Sequence, residues 1–75
     1  MWIDYEMPNG DKWERQEIEG GHLSRQVGSG YVNVTMRAGA YTAATAVVTP
    51  ASVDAAVAIL RAASAELEAA GAFRF

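Results

Sequence analysis

The chain has 75 residues, a formal net charge of −3 and no cysteine. This length suits one small domain, and the lack of cysteine excludes a disulfide framework and a thiolate metal site. No apolar run approaches the ~20 residues that a membrane-spanning helix needs, and the acidic N-terminus lacks the basic and apolar segments of a signal peptide. We therefore expect a cytoplasmic protein that makes no membrane contact.

Charge is distributed unevenly along the chain. Residues 1–19 are rich in acids, whereas residues 20–53 contain no acid and only two arginines and one histidine. Acidic side chains return on the C-terminal segment at Asp54, Glu66 and Glu68. Because Lys and Glu are depleted at protein interfaces, the weakly charged middle segment favours a contact surface.

Residues 1–19 predict an acidic β-hairpin, because the alternating segment "WIDYEM" precedes the turn sequence "PNG". The favoured turn is a three-residue loop closed by a bulge at Gly10. That register places Tyr5 opposite Trp13 and Glu6 opposite Lys12, an aromatic pair and an opposite-charge pair. A two-residue loop would instead place Glu6 opposite Trp13.

Residues 20–30 are predicted to be a glycine-rich connection around one short strand. The strand covers Leu23 to Val27. The glycines on its two sides are expected to bend the chain: Gly20, Gly21, Gly28 and Gly30.

Residues 31–48 predict a second β-hairpin, because β-branched and aromatic residues alternate there with small ones. Gly39 is well placed for a bulge in the turn between the two strands. One face of the hairpin is then small and aliphatic, with Val32, Val34, Ala44 and Ala46. The opposite face carries the candidate partner-binding residues Tyr31, Asn33, Thr35, Arg37, Tyr41 and Thr45, beside Val47.

Residues 50–70 predict an α-helix whose two ends are marked in the sequence. Thr49 suits the N-cap, Pro50 the first helical position and Gly71 the left-handed residue after the end. An apolar stripe predicts packing on the aliphatic face of the second hairpin: Val53, Val57, Leu60 and Leu67. The predicted fold class is α+β, a small antiparallel sheet of four or five strands with one C-terminal helix on one face.

No arrangement typical of catalysis or metal binding occurs in the sequence. His22 is the only histidine, and no serine has the context of an activated nucleophile. The "GSG" at 28–30 is followed by a strand, whereas a phosphate-binding loop leads into a helix. We therefore assign no catalytic, cofactor-binding or metal-binding residue and expect a protein that is not an enzyme.

The remaining features predict a non-catalytic protein-interaction module that self-associates. The strand "YTAATAVV" has neither a charge nor a proline, so it is either an edge that pairs with a second chain in a homodimer or a central strand flanked by the first hairpin. In the tail at 71–75, Phe73 and Phe75 either fold back on the helix or dock on a partner. The alanine-rich outer side of the helix is either an interface or a plain helix-forming surface.

One finer version of this function and two alternatives to it stay open at the level of sequence. The finer version is a small phage or accessory regulator or inhibitor that docks on a larger protein. One alternative is a structural subunit of a larger particle. The other is weak nucleic-acid binding, in which Tyr31 and Tyr41 stack on bases while Arg25 and Arg37 contact phosphates. The acidic balance of the chain disfavours that alternative.

Overall fold

The computed structural model describes residues 1–38 and 41–71, with the backbone alone at 38 and 41–43. The described elements are β1 (Ile3–Glu6), β2 (Lys12–Ile18), β3 (Gly21–Gln26), β4 (Val32–Ala38), β5 (Tyr41–Val48), a 3-10 turn (Pro50–Ser52) and α1 (Val53–Ala69). The strands form one antiparallel sheet in the order β1-β2-β3-β4-β5. The predicted α+β class, with a C-terminal helix on a small antiparallel sheet, is confirmed.

The first hairpin has the predicted three-residue loop. Tyr5 lies opposite Trp13 and Glu6 lies opposite Lys12. Gly10 takes a φ of 91°, and its N–H donates to the carbonyl of Met7 at 2.9 Å. The glycine bulge therefore sets the register of β1 against β2.

Strand β3 begins two residues before the predicted strand and ends one residue earlier. The turn consists of Glu19 and Gly20, with Gly20 at a φ of 80°, so the expectation that Gly21 also bends the chain was wrong. Gly21 is instead a buried strand residue opposite Met36. An added Cβ there would collide with the carbonyl oxygen of Thr35, so this strand pair needs a residue without a side chain.

Strand β4 supplies most of the core. Its side chains at Val32, Val34 and Met36 are 1%, 0% and 2% exposed, and Leu23 of β3 completes the buried cluster. Val34 lies opposite Ala46 of β5, which confirms the predicted aliphatic face. The register shifts between Met36 and Arg37; the predicted turn at Gly39 lies outside the described residues.

The helical segment has the predicted ends but a different first turn. Residues 50–52 form the 3-10 turn, with Thr49 at its N-cap position and no capping hydrogen bond from the Thr49 side chain. The α-helix proper starts at Val53 and its 17 residues span about 25 Å. Gly71 takes a φ of 77° and its N–H donates to Glu68 at 3.0 Å, as expected for a residue that ends a helix.

Helix α1 contacts β4 and β5. Four of its apolar residues pack against the buried cluster: Val53, Ala56, Val57 and Leu60. Leu67 is 42% exposed, so the predicted stripe stops contributing to the core before the C-terminal turn. Among the described residues, no helix combines the length and the apolar character needed to cross a membrane.

The close approach at Gly21 is directly testable. In Gly21→Ala, the new methyl group would collide with the Thr35 carbonyl and force β3 away from β4. We expect the free energy of unfolding to fall by about 1–3 kcal/mol, measured by urea denaturation. Gly30→Ala is the matched control, because an added Cβ at Gly30 meets nothing within 4 Å. Equal stability of the two variants would contradict the crowding at Gly21.

Candidate interaction surface

The side of the sheet opposite α1 is named here the outer face. Alternation from the buried side chains assigns to it the odd-numbered residues of β1, β2 and β4, the even-numbered residues of β3, and Thr45 and Val47 of β5. No element of the described residues packs across this face. The outer face is therefore one surface that the described elements leave open.

Three of the predicted partner-binding residues lie side by side on the outer face. Thr35 is opposite Thr45, and Asn33 is opposite Val47. Asn33 and Thr35 are half-buried, while Thr45 is exposed and Val47 is 64% exposed. These neighbours form a small uncharged patch that reaches the β5 edge of the sheet.

The other predicted residues are more dispersed. Tyr31 is 61% exposed just before β4, and Arg37 is exposed after the register shift. Tyr41 is placed by its backbone opposite Ala38, but its side chain is outside what the structure describes. Phe73 and Phe75 also lie outside the described residues.

An apolar patch that was not predicted from the sequence lies at the other end of the outer face. Ile3 is 63% exposed and Tyr5 is 38% exposed. Together with Arg15 and Glu17 they line a shallow depression of about 350 Å³. The alternation of "WIDYEM" contained the signal, because it places Ile3 and Tyr5 on the side of the hairpin that faces away from the helix.

The polar centre of the outer face contains the chain's one histidine. The guanidinium of Arg15 donates to the carboxylate of Glu17 at 2.6 Å, and this hydrogen bond lowers the pKa of Glu17. His22 lies opposite Glu17, and its Nδ1 is buried with no hydrogen-bond partner among the described residues. Burial lowers the pKa of His22, Arg15 and Arg37 lower it further, and Glu17 opposes them.

The second open surface is the free edge of β5. The N–H of Arg37 donates to the carbonyl of Gly20 at 2.8 Å, so odd-numbered residues of β4 bond to β3 and even-numbered ones to β5. Ala44, Ala46 and Val48 are the β5 partners of those even-numbered residues. The backbone N–H and C=O groups of Thr45 and Val47 therefore point away from the sheet.

The edge at β1 differs from the edge at β5. Strand β1 has only four residues. The N–H of Val27 donates to Lys12 at 2.9 Å, and the resulting alternation leaves the backbones of Asp4 and Glu6 pointing outward. A short strand with carboxylates at its open positions resists pairing with another chain. The eight-residue β5 contains no charge, and the strand order places it at an edge of the sheet rather than at its centre.

Arg25 does not lie on the outer face. Its guanidinium is 4.0 Å from the ring centroid of Trp2, which packs against the core, and it donates to Glu14 at 2.7 Å. The nucleic-acid hypothesis placed Arg25 beside Tyr31 and Tyr41. Arg25 thus lies on the helix side of the sheet, and its guanidinium is paired with Glu14.

Comparisons with known protein families, curated proteins and solved structures find no match to this chain. Within residues 1–38 and 41–71, no three His, Cys, Asp or Glu side chains cluster as metal ligands would. The outer face and the edge of β5 are the features of the described residues that bear on function.

The environment of His22 leads to a pH-dependent stability. Because the pKa of His22 is lower in the folded chain than its ordinary value of 6.5, the unfolded chain binds this proton more readily. We expect the free energy of unfolding to decrease as the pH falls from about 7 through the folded pKa. An NMR titration of the imidazole should give a value below 6.5, and Arg15→Gln should raise it. A wild-type value at or above 6.5 would contradict the environment described.

Proposed function

We propose that the chain is a non-catalytic interaction module that self-associates by pairing the edge of β5 with β5 of a second copy. The observation that carries the proposal is the unprotected edge of that strand. An exposed edge of this length, without charge, proline or cover among the described elements, is a template for strand addition.

The open hydrogen-bonding groups favour a symmetric pair. Thr45 and Val47 each offer one N–H and one C=O outward, and an antiparallel copy of β5 offers the same groups in the complementary direction. A two-fold axis normal to the sheet relates the two strands, so the contact is self-complementary and closes at two copies. Its product is a sheet of ten strands.

Charge also permits the two β5 edges to approach. Strand β5 has no charged residue, and the acids of the first hairpin lie at the opposite edge of the sheet. Arg37, on the neighbouring strand, is the nearest charged position on the outer face. Edge-to-edge pairing therefore brings no like-charged side chains directly opposite each other along β5.

The outer face would become continuous across such a pair. Thr45 and Val47 of both copies would lie on the same side of the extended sheet, next to Asn33 and Thr35. The exposed apolar surface of Val47 would lose water contact to its neighbours across the axis, which stabilises association. This joint surface is where the predicted partner-binding residues would act together.

The distribution of titratable groups supports a non-catalytic role. On the outer face, Glu17 is paired with Arg15, and His22 is flanked by Glu17 and Thr35. Among the described residues, no serine hydroxyl is hydrogen-bonded to a histidine or carboxylate. A serine nucleophile is activated by such a contact.

A charge placed at the β5 edge tests the proposal. In Val47→Lys the two new ammonium groups would lie near the two-fold axis, so we expect the dissociation constant of the dimer to rise at least tenfold, about 1.4 kcal/mol. Sedimentation velocity over a micromolar concentration series measures it. The thermal stability of the separate chain should change little, because Val47 is 64% exposed.

Ile3→Lys is the matched control for this experiment. Ile3 has the same exposure as Val47, at 63%, and lies on the same face of the sheet but on the opposite edge strand. It should leave self-association unchanged. A wild-type chain that stays monomeric at high micromolar concentration, or equal effects of the two lysines, would contradict pairing through β5.

A further inference from the structure

We infer that the β5 dimer has a second layer, in which the two copies of α1 pack against each other through a helix flank centred on Ile59. This inference rests on the proposed function, since it needs the β5 edges to pair. The starting observation is that Ile59 is 69% exposed, although α1 places its other branched apolar residues between 53 and 60 toward the sheet. The exposure of such a large apolar side chain in the middle of the helix needs a structural explanation.

The contact made by Arg61 shows which way this flank faces. The Nη2 of Arg61 donates to the carbonyl of Glu19 at 2.8 Å, at the turn between β2 and β3. That flank of α1 is therefore turned toward β3. Ile59 lies about 200° around the helix from Arg61, so it lies on the flank turned toward the free edge of β5.

Strand spacing sets the distance between the helices in the dimer. Helix α1 lies over β4 and β5, and strands are about 4.8 Å apart. A helix centred over the β4–β5 pair then lies about 10 Å from its symmetry mate across the new strand pair, because both helices remain on one side of the sheet. Packed helices have axes about 8–10 Å apart.

The residues around Ile59 suit a self-complementary contact. Positions one turn away on the same flank are alanines, Ala55, Ala62 and Ala63, which let two helices approach closely. The charge on this flank is Glu66, seven residues from Ile59. In an antiparallel helix pair centred on Ile59, Glu66 lies opposite residue 52 of the second copy, a serine, so the two carboxylates stay about 20 Å apart.

The lack of cysteine in the chain allows a direct test. At an axis separation of about 10 Å, facing Cα atoms are about 5 Å apart, within the range for a disulfide. Under mild oxidation, Ile59→Cys should give a covalent dimer rapidly. Glu68→Cys is the matched control: it is an exposed position of α1, half a turn around from Ile59, and should cross-link much more slowly. Adding Val47→Lys to Ile59→Cys should abolish the rapid cross-link.

A second variant separates this inference from the proposed function. Ile59→Asp would bury like charges between the helices, and we expect the dissociation constant to rise at least tenfold while Glu68→Ala leaves it unchanged. If the wild type dimerises through β5, yet Ile59→Cys cross-links no faster than Glu68→Cys and Ile59→Asp dimerises normally, the helix contact is overturned while strand pairing stands. A monomeric wild type overturns both.

Discussion

The packing of α1 on β4 is the interaction on which the rest of the structure depends. Val32, Val34 and Met36 are almost fully buried beneath the helix, and they account for most of the core of a chain that is small for an independent domain. One helix covers one side of a sheet. No element within residues 1–38 and 41–71 packs on the opposite side, so these residues leave the outer face open.

The position of β4 also explains why the two edges of the sheet differ. The helix must lie over β4 and β5 to cover the core, since β5 supplies small side chains at Ala44 and Ala46 that permit close approach. β5 is thus half-buried on one side, and no second described strand pairs with its outer edge. The first hairpin lies at the far edge, where it carries the acids and its outermost strand, β1, is short. The β5 edge is therefore better suited to pairing than the β1 edge.

Local features of the structure could be predicted from the sequence, because they depend on neighbours along the chain. The register of the first hairpin follows from the Pro8–Gly10 turn and the pairing of Glu6 with Lys12. The faces of the second hairpin follow from alternation over residues 32–36 and 44–48, up to the register shift. The C-terminal end of α1 follows from Gly71, since glycine adopts the positive φ that ends a helix.

Features that depend on contacts between distant segments could not be predicted. The uncharged sequence of β5 is compatible with a central or an edge position, so only the strand order shows that the strand lies at an edge. In the sequence, Arg25 looks like a free cation. In the fold, its guanidinium contacts Trp2 and Glu14, which are distant along the chain. For the same reason, the direction in which Ile59 faces could be assigned only from the hydrogen bond of Arg61, which fixes the rotation of the helix about its axis.

Amide hydrogen exchange followed by NMR at two protein concentrations tests the central claim most directly. The N–H groups of Ala44 and Ala46 point to β4 and should be protected at every concentration, whereas those of Thr45 and Val47 point outward. We expect Thr45 and Val47 to exchange rapidly in dilute solution and to become protected as the concentration rises. Rapid exchange of both amides in concentrated protein would contradict pairing through β5.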